Sequence, residues 1–162
     1  MNALDVLKYG HLHLQRTLAD LPDDQWETSG VCGIWSVKDI MAHLASYEHM
    51  LSDVLSAVLG STDTPTLNKM GELGPEGFNN DQVGQRKDKP WQEILDEYTV
   101  TQQEAAMKAA KIPTATWSKV GTLPWYGAEY SLDDYIVYTF YGHKREHSAE
   151  IEVFKTKLKG QG

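Results

Sequence analysis

The chain has 162 residues, of which 41% are hydrophobic and 23% charged, and its formal net charge is -8. That length suits one domain over residues 1–162 with a core of its own, and since no apolar run approaches ~18 residues we expect no membrane span. The acidic balance argues against nucleic acid as a partner, because such affinity comes largely from Lys and Arg at phosphates.

Two helices are predicted in the N-terminal part of the chain. Apolar residues recur at helical spacing from about Ala3 to Asp20, and a Leu-Pro-Asp-Asp turn follows. The second helix begins at Ser36, because a serine can cap a helix and Asp39 stands three residues later, as in a capping box. Its apolar stripe continues to Gly60, where the helix ends.

Two more helices are predicted in the C-terminal part. Residues 61–88 are rich in Gly, Pro, Thr, Asn and Asp, and we expect them to form a long crossover connection. Pro90 suits the start of the third helix, which continues until Pro113, and residues 113–130 are irregular. The last helix opens at Ser131 with a second capping signal. The chain is therefore predicted to be all-α, a four-helix bundle with a long crossover connection.

Three histidines lie on inward-facing stripes of two predicted helices. His143 and His147 are ~40° apart around the last helix, facing inward between Phe140 and Ile151, and His43 occupies the inward row of the second helix. A buried imidazole carries a donor and an acceptor, and an unpaired one costs roughly 1–3 kcal/mol. A zinc or nickel ion binds neutral imidazole well and would satisfy the acceptor nitrogens together. The alternative is that the rings form hydrogen bonds within the core.

Three segments of the chain carry a resemblance to a known family. Residues 35–44, WSVKDIMAHL, resemble the second-helix signature of the DinB/YfiT-like superfamily. Residues 78–95, in which FNNDQV precedes WQEIL, are similar to that family's entry into its third helix, and residues 141–151 are similar to its closing H-x-x-x-H helix. The resemblance covers most of the chain in the family's order, and the central part is closest to the ClbS/DfsB branch.

The resemblance implies both an architecture and a chemistry. It implies a four-helix bundle with one crossed connection, assembled as a homodimer, and a divalent metal ion held by His43, His143 and His147. Characterised relatives transfer bacillithiol, mycothiol or glutathione to small molecules, or isomerise or hydrolyse small molecules, and some branches have lost the metal. A low-molecular-weight thiol cosubstrate and a small-molecule substrate are therefore expected.

Glu150 and Tyr47 are the candidate catalytic residues. Glu150 lies three residues after His147 on the same helical face, so it could bind the metal, orient its neighbour or accept a proton. The alternative is an exposed carboxylate that pairs with a lysine. Tyr47, on the second-helix stripe, could line a pocket or serve in proton transfer, a role for which Glu146 is also placed.

Other residues allow more than one interpretation. His11 faces the bundle and could line the site or simply form a hydrogen bond, and Cys32 could be a nucleophile or a small packed residue. A single cysteine without a recognisable secretory signal fits a reducing cytoplasm. The letters H-x-x-E-H from His143 to His147 also match a peptidase motif, but that motif needs a carboxylate ligand far downstream and would leave His43 unused.

Three hypotheses about function follow from the predicted site. Three protein nitrogens leave a coordination position open, which is typical of a reactive metal site. A thiol there would be deprotonated, and a water there would have its pKa lowered toward ~7. The first hypothesis is therefore transfer of a low-molecular-weight thiol to a small electrophile, and the second is metal-assisted hydrolysis. The third is a non-catalytic bundle that sequesters a metal or a small molecule.

Overall fold

The computed structural model describes residues 2–160, and the chain is helical there apart from its connections. Its helices are α1 (Ala3–Leu18), α2 (Val37–Val58), α3 (Pro65–Gln85), α4 (Trp91–Ala109), α5 (Thr114–Trp117), α6 (Leu132–Tyr135) and α7 (Gly142–Gly160), with a short 3-10 turn at Asp23–Gln25 and a π-helical segment at Ile136–Tyr141. Because no strand occurs in this range, the predicted all-α class is confirmed. No helix within it combines the length and apolar character that a membrane span requires.

Four long rods form the bundle. They are α1, α2, α4 and the C-terminal rod in which α6, the π-helical segment and α7 follow one another directly. Helix α2 packs chiefly against α4 and α3, while α1 packs against α7 and the π-helical segment. The four-helix-bundle prediction is confirmed.

The predicted crossover between α2 and α4 is present and is largely helical, because α3 occupies most of residues 61–88, for which no helix had been predicted. Pro65 is the first residue of α3, and the Asp53 Oδ2 atom on α2 accepts hydrogen bonds from the backbone N–H groups of Thr66 (2.6 Å) and Leu67 (3.1 Å). This carboxylate caps the new helix from a neighbouring element. Gly74 kinks α3 at its middle, because its φ of 68° and ψ of 170° are not helical. A residue with a Cβ would be strained in that conformation, which explains why glycine stands there.

Both predicted capping boxes are present. The Ser36 N–H donates to Asp39 Oδ2 at 2.9 Å, and the Asp39 N–H donates to Ser36 Oγ at 3.2 Å. Ser131 and Asp134 form the same pair of bonds at 2.8 and 3.2 Å. These boxes fix where the two histidine-bearing rods begin, since each satisfies N–H groups that the first helical turn leaves free.

The sequence pattern predicted one continuous helix from Ser131, but the C-terminal rod is not a regular α-helix throughout. Its π-helical segment, Ile136–Tyr141, ends immediately before α7, and Gly142 opens α7. π-helical turns are rare and occur frequently at functional sites. Here the segment places Tyr138 and Thr139 beside an open pocket that His143 also lines.

The histidines lie where two clusters of buried apolar side chains meet. Leu44 of α2 and Ile151 of the C-terminal rod belong to one cluster. Leu51 of α2 and Phe140 of the C-terminal rod belong to the other. The inward stripes predicted from the sequence are therefore largely buried, although Leu4 at the start of α1 is exposed.

Candidate metal centre

His43 is held rigidly on the second turn of α2. The residue is only 2% exposed. Its ring lies between Trp35, in the loop before α2, and Tyr47, one turn further along the helix, with ring centroids 5.1 and 4.7 Å away. Because two aromatic rings and the capped start of α2 restrict it, the imidazole has little freedom to rotate.

The other two imidazoles come from the first two turns of α7. The His143 Nε2 atom lies 2.7 Å from His43 Nε2 and 3.0 Å from His147 Nε2. Three ring nitrogens from two separate helices thus converge on one point. These residues form a group whose ligand atoms are close enough together to hold one metal ion.

The separations fit a divalent cation of the size of zinc. In a tetrahedral site with metal–nitrogen bonds of ~2.0–2.1 Å, ligand nitrogens lie about 3.3 Å apart, so His143 Nε2 needs to separate from the nitrogens of His43 and His147 by only ~0.3–0.6 Å. The protonation pattern also fits. Since a carboxylate only accepts hydrogen bonds, the His147 Nδ1 atom carries the proton that is shared with Glu150 Oε2 at 2.7 Å, and Nε2 presents its lone pair to the other rings.

Burial keeps the rings in the form that binds metal. It lowers the pKa of His43 from 6.5 to about 2 and that of His143 from 6.5 to about 3, and repulsion among the imidazolium forms adds to both shifts. Both residues are therefore neutral at neutral pH, as a metal ligand must be.

Glu150 has its partner on its own helix. Its Oε2 atom accepts from His147 Nδ1, and its side chain is 30% exposed. Glu150 therefore pairs with His147, and not with a lysine as in the alternative prediction. A carboxylate behind a ligating histidine fixes the tautomer and orientation of the ring and raises its basicity.

Tyr47 lines the open side of the site. Its ring centroid is 4.7 Å from those of both His43 and His143. Burial raises the pKa of its phenol, so Tyr47 is protonated at neutral pH and suits hydrogen-bond donation rather than proton acceptance.

Two residues near the site were not identified from the sequence as part of it. Cys32 lies with His147 and Glu150 in a second group of close donor atoms, and burial together with the neighbouring Glu150 raises the pKa of its thiol to about 11. Asn79 on α3 stands beside His43 and slightly offsets the lowering of its pKa. The buried atoms His43 Nδ1 and Asn79 Oδ1 nevertheless do not reach hydrogen-bond geometry with any described residue. Asn79 was not predicted, because the segment that forms α3 was interpreted as a connection.

The remaining histidines lie outside the three-histidine group. His11 Nδ1 is 3.2 Å from Tyr98 Oη, so the hydrogen-bonding alternative describes it, and burial, followed by the charge of Lys144, lowers its pKa to about 4. His13 is exposed. His49 Nε2 lies 3.0 Å from a Glu97 carboxylate oxygen.

Comparison with known families gives one match that covers most of the chain. A family model described as the mycothiol maleylpyruvate isomerase N-terminal domain matches residues 10–131. The matched range includes α2 and His43 but ends before His143 and His147. No curated protein and no solved structure matched the chain.

Proposed function

The chain belongs to the mycothiol maleylpyruvate isomerase N-terminal domain family, within the DinB/YfiT-like superfamily, and on that premise we propose that it is a metal-dependent enzyme that transfers a low-molecular-weight thiol to a small electrophile. The observation that carries the proposal is the convergence of three imidazoles, in which the His143 Nε2 atom lies 2.7 Å from that of His43 and 3.0 Å from that of His147. Structural zinc sites usually have four protein ligands, whereas three leave a position for a reactant.

Each residue of the site has a proposed role. His43, His143 and His147 hold the ion, for which zinc or nickel is the proposed identity because both accept neutral imidazole. A bound divalent ion would supply Lewis acidity, lowering the pKa of a thiol or a water in its open position. Glu150 orients His147 through Oε2, and its other carboxylate oxygen is the proposed proton acceptor. Tyr47, held as the neutral phenol, donates a hydrogen bond to the reacting molecule.

The proposed transfer conserves atoms and charge in a simple way. The thiol sulfur forms a bond to the electrophilic carbon, and the bond between that carbon and its leaving group breaks. The leaving group departs with the electron pair. The thiol proton passes to Glu150 and then to the leaving group or, where the leaving group is a halide ion, to water, so the carboxylate is regenerated. The products are a thioether and the departed leaving group, and neither oxidant nor reductant is required.

Metal analysis of the purified chain is the first test. We expect about one equivalent of zinc or nickel per chain, and loss of that metal in the His143→Ala variant. His13→Ala is the matched control, because this exposed histidine lies outside the group. Absence of bound metal after reconstitution with zinc and nickel would remove the proposal. Size-exclusion chromatography with light scattering tests the homodimer that the family resemblance implies.

Turnover is the second test. The metal-loaded protein is incubated with an activated aromatic halide, with and without mycothiol, bacillithiol or glutathione, and loss of free thiol is measured. Thiol consumption that depends on His143 supports transfer. Product formation without any thiol would favour hydrolysis, and tight ligand binding without turnover would favour the sequestering alternative.

A further inference from the structure

An open pocket of about 460 Å³ gives access to His143 between α2, the π-helical segment and α7. It is lined by Tyr47, Tyr138, Thr139, Gly142, His143 and Glu146. Two tyrosine rings and an exposed carboxylate thus surround the approach to the site, and no lysine or arginine is among the described residues that line it.

The basic residues closest in sequence are directed elsewhere. Lys144 is buried and forms an ion pair with Glu48. The Arg145 guanidinium donates to Tyr141 Oη at 3.1 Å and lies 5.7 Å from the centre of that ring. Neither cation therefore neutralises the Glu146 carboxylate, which lines the pocket together with His143. A metal ion held by the histidines would attract every thiolate sulfur alike, so Glu146 is the group that distinguishes thiols by the charge next to their sulfur.

Such a pocket distinguishes ligands by charge. An ammonium group is attracted by a carboxylate and by the faces of tyrosine rings, whereas a ligand carboxylate would meet a like charge. Because His143 and Glu146 line the same pocket one helical turn apart on α7, a thiol that enters through this pocket to reach the three-histidine group passes Glu146. Resting on the function proposed above, we infer that the thiol cosubstrate carries an amine rather than a carboxylate close to its sulfur, and that Glu146 determines this specificity.

Three small thiols of similar length test the inference. Cysteamine, 2-mercaptoethanol and 3-mercaptopropionate present a positive, neutral and negative group at a similar distance from sulfur. Each is titrated into cobalt-loaded wild-type protein and cobalt-loaded Glu146→Gln, and its dissociation constant is read from the thiolate-to-cobalt absorption band. Each thiol is compared with itself in the two proteins, so its own acidity cancels. Glu104→Gln, which removes an exposed carboxylate outside this pocket, is the matched control.

We expect Glu146→Gln to weaken cysteamine binding about threefold and to strengthen 3-mercaptopropionate binding by a similar factor, as one unit charge ~6 Å away in a water-like dielectric would do. Both factors are expressed relative to 2-mercaptoethanol, whose bound thiolate sulfur feels the same loss of charge but which carries no second charged group, and Glu104→Gln should affect none of the three. Equal shifts for all three thiols, or none, would overturn the role of Glu146 while leaving thiol binding intact. If no thiol produces the absorption band with wild-type protein, the proposed function itself is wrong and the inference is wrong with it.

Discussion

Glu48 and Lys144 form an ion pair between α2 and α7, with side-chain exposures of only 1% and 4%. The pair lies on the two helices that supply the histidines, and the Lys144 Nζ atom is 5.6 Å from the centre of the Tyr98 ring. Replacing Glu48 by Met leaves a buried lysine without its counter-charge. Breaking a buried pair in this way costs ~3–5 kcal/mol, which for a chain of this size corresponds to a fall of roughly 6–20 °C in Tm.

Removing both charges has a different expected effect. In Glu48→Met combined with Lys144→Met no charge remains buried, and the two side chains keep approximately the original volume, so the double variant should be within ~1 kcal/mol of the wild type or more stable. The control is the pair between Lys89, just before α4, and Glu93 in the first turn of α4, whose side chains are 41% and 54% exposed. Its double Met replacement should change stability by less than ~0.5 kcal/mol, as expected of a solvated pair.

Urea unfolding followed by circular dichroism measures all of these free energies. The reasoning predicts a large positive coupling energy in the double-mutant cycle of the buried pair and almost none in that of the surface pair. If Glu48→Met alone costs less than ~1 kcal/mol, or if the double variant is as unstable as the sum of the single variants, the two charges do not depend on each other as the structure indicates.

Three further predictions concern the second ligand helix, helix α1 and the crossover. Glu150→Ala should weaken metal binding about 10–100-fold, measured by competition with a chromophoric chelator, because His147 loses the acceptor of its Nδ1 proton. Burial lowers the pKa of His11 from 6.5 to about 4, so its contribution to stability is complete above pH 6.5 and is lost as pH falls to about 4. Wild-type protein should therefore lose ~1–2 kcal/mol more than His11→Gln over that range, after allowance for partial exposure. Asp53→Ala should cost ~1 kcal/mol, visible as faster hydrogen exchange in α3, because the carboxylate that caps the helix is removed.

Conservative variants serve as controls for these three predictions. Glu150→Gln and Asp53→Asn each keep an oxygen that can accept the hydrogen bond, so each should recover most of what the alanine variant loses. Equal losses in the Ala and amide variants would contradict the proposed hydrogen-bonding roles. For His11, parallel stability curves of the wild type and His11→Gln between pH 7 and 4 would show that this histidine does not titrate in a buried environment.

The helix starts and the inward stripes were predictable because their causes are local. Ser36 with Asp39 and Ser131 with Asp134 satisfy the first N–H groups of their own helices, so the signal lies within four residues of sequence. The spacing of His143 and His147 fixes their common face by helical geometry alone. The sequence also placed His43 on the inward row of α2, and the structure shows that its ring meets the other two.

The errors concern features whose causes lie in another element. Helix α3 has the composition of a connection, with a glycine in the left-handed region at its middle. It begins where Asp53, on the preceding helix α2, caps it. The π-helical segment has no local marker that we recognised. Asn79 and Cys32 could not be assigned to the site, because each reaches it from an element whose placement was unknown.

The sequence by itself determined the helical class, the positions at which the two ligand-bearing rods begin, and the faces on which their histidines lie. These follow from hydrogen bonds and periodicity within a few turns of one helix. Tertiary structure decided the separation of the three imidazoles, the pairing of Lys144 with Glu48, and the charge of the pocket beside His143. Each of these depends on how helices far apart in sequence pack together. That packing sets the distances between side chains, the direction of each charged side chain, and the burial that shifts their pKa values.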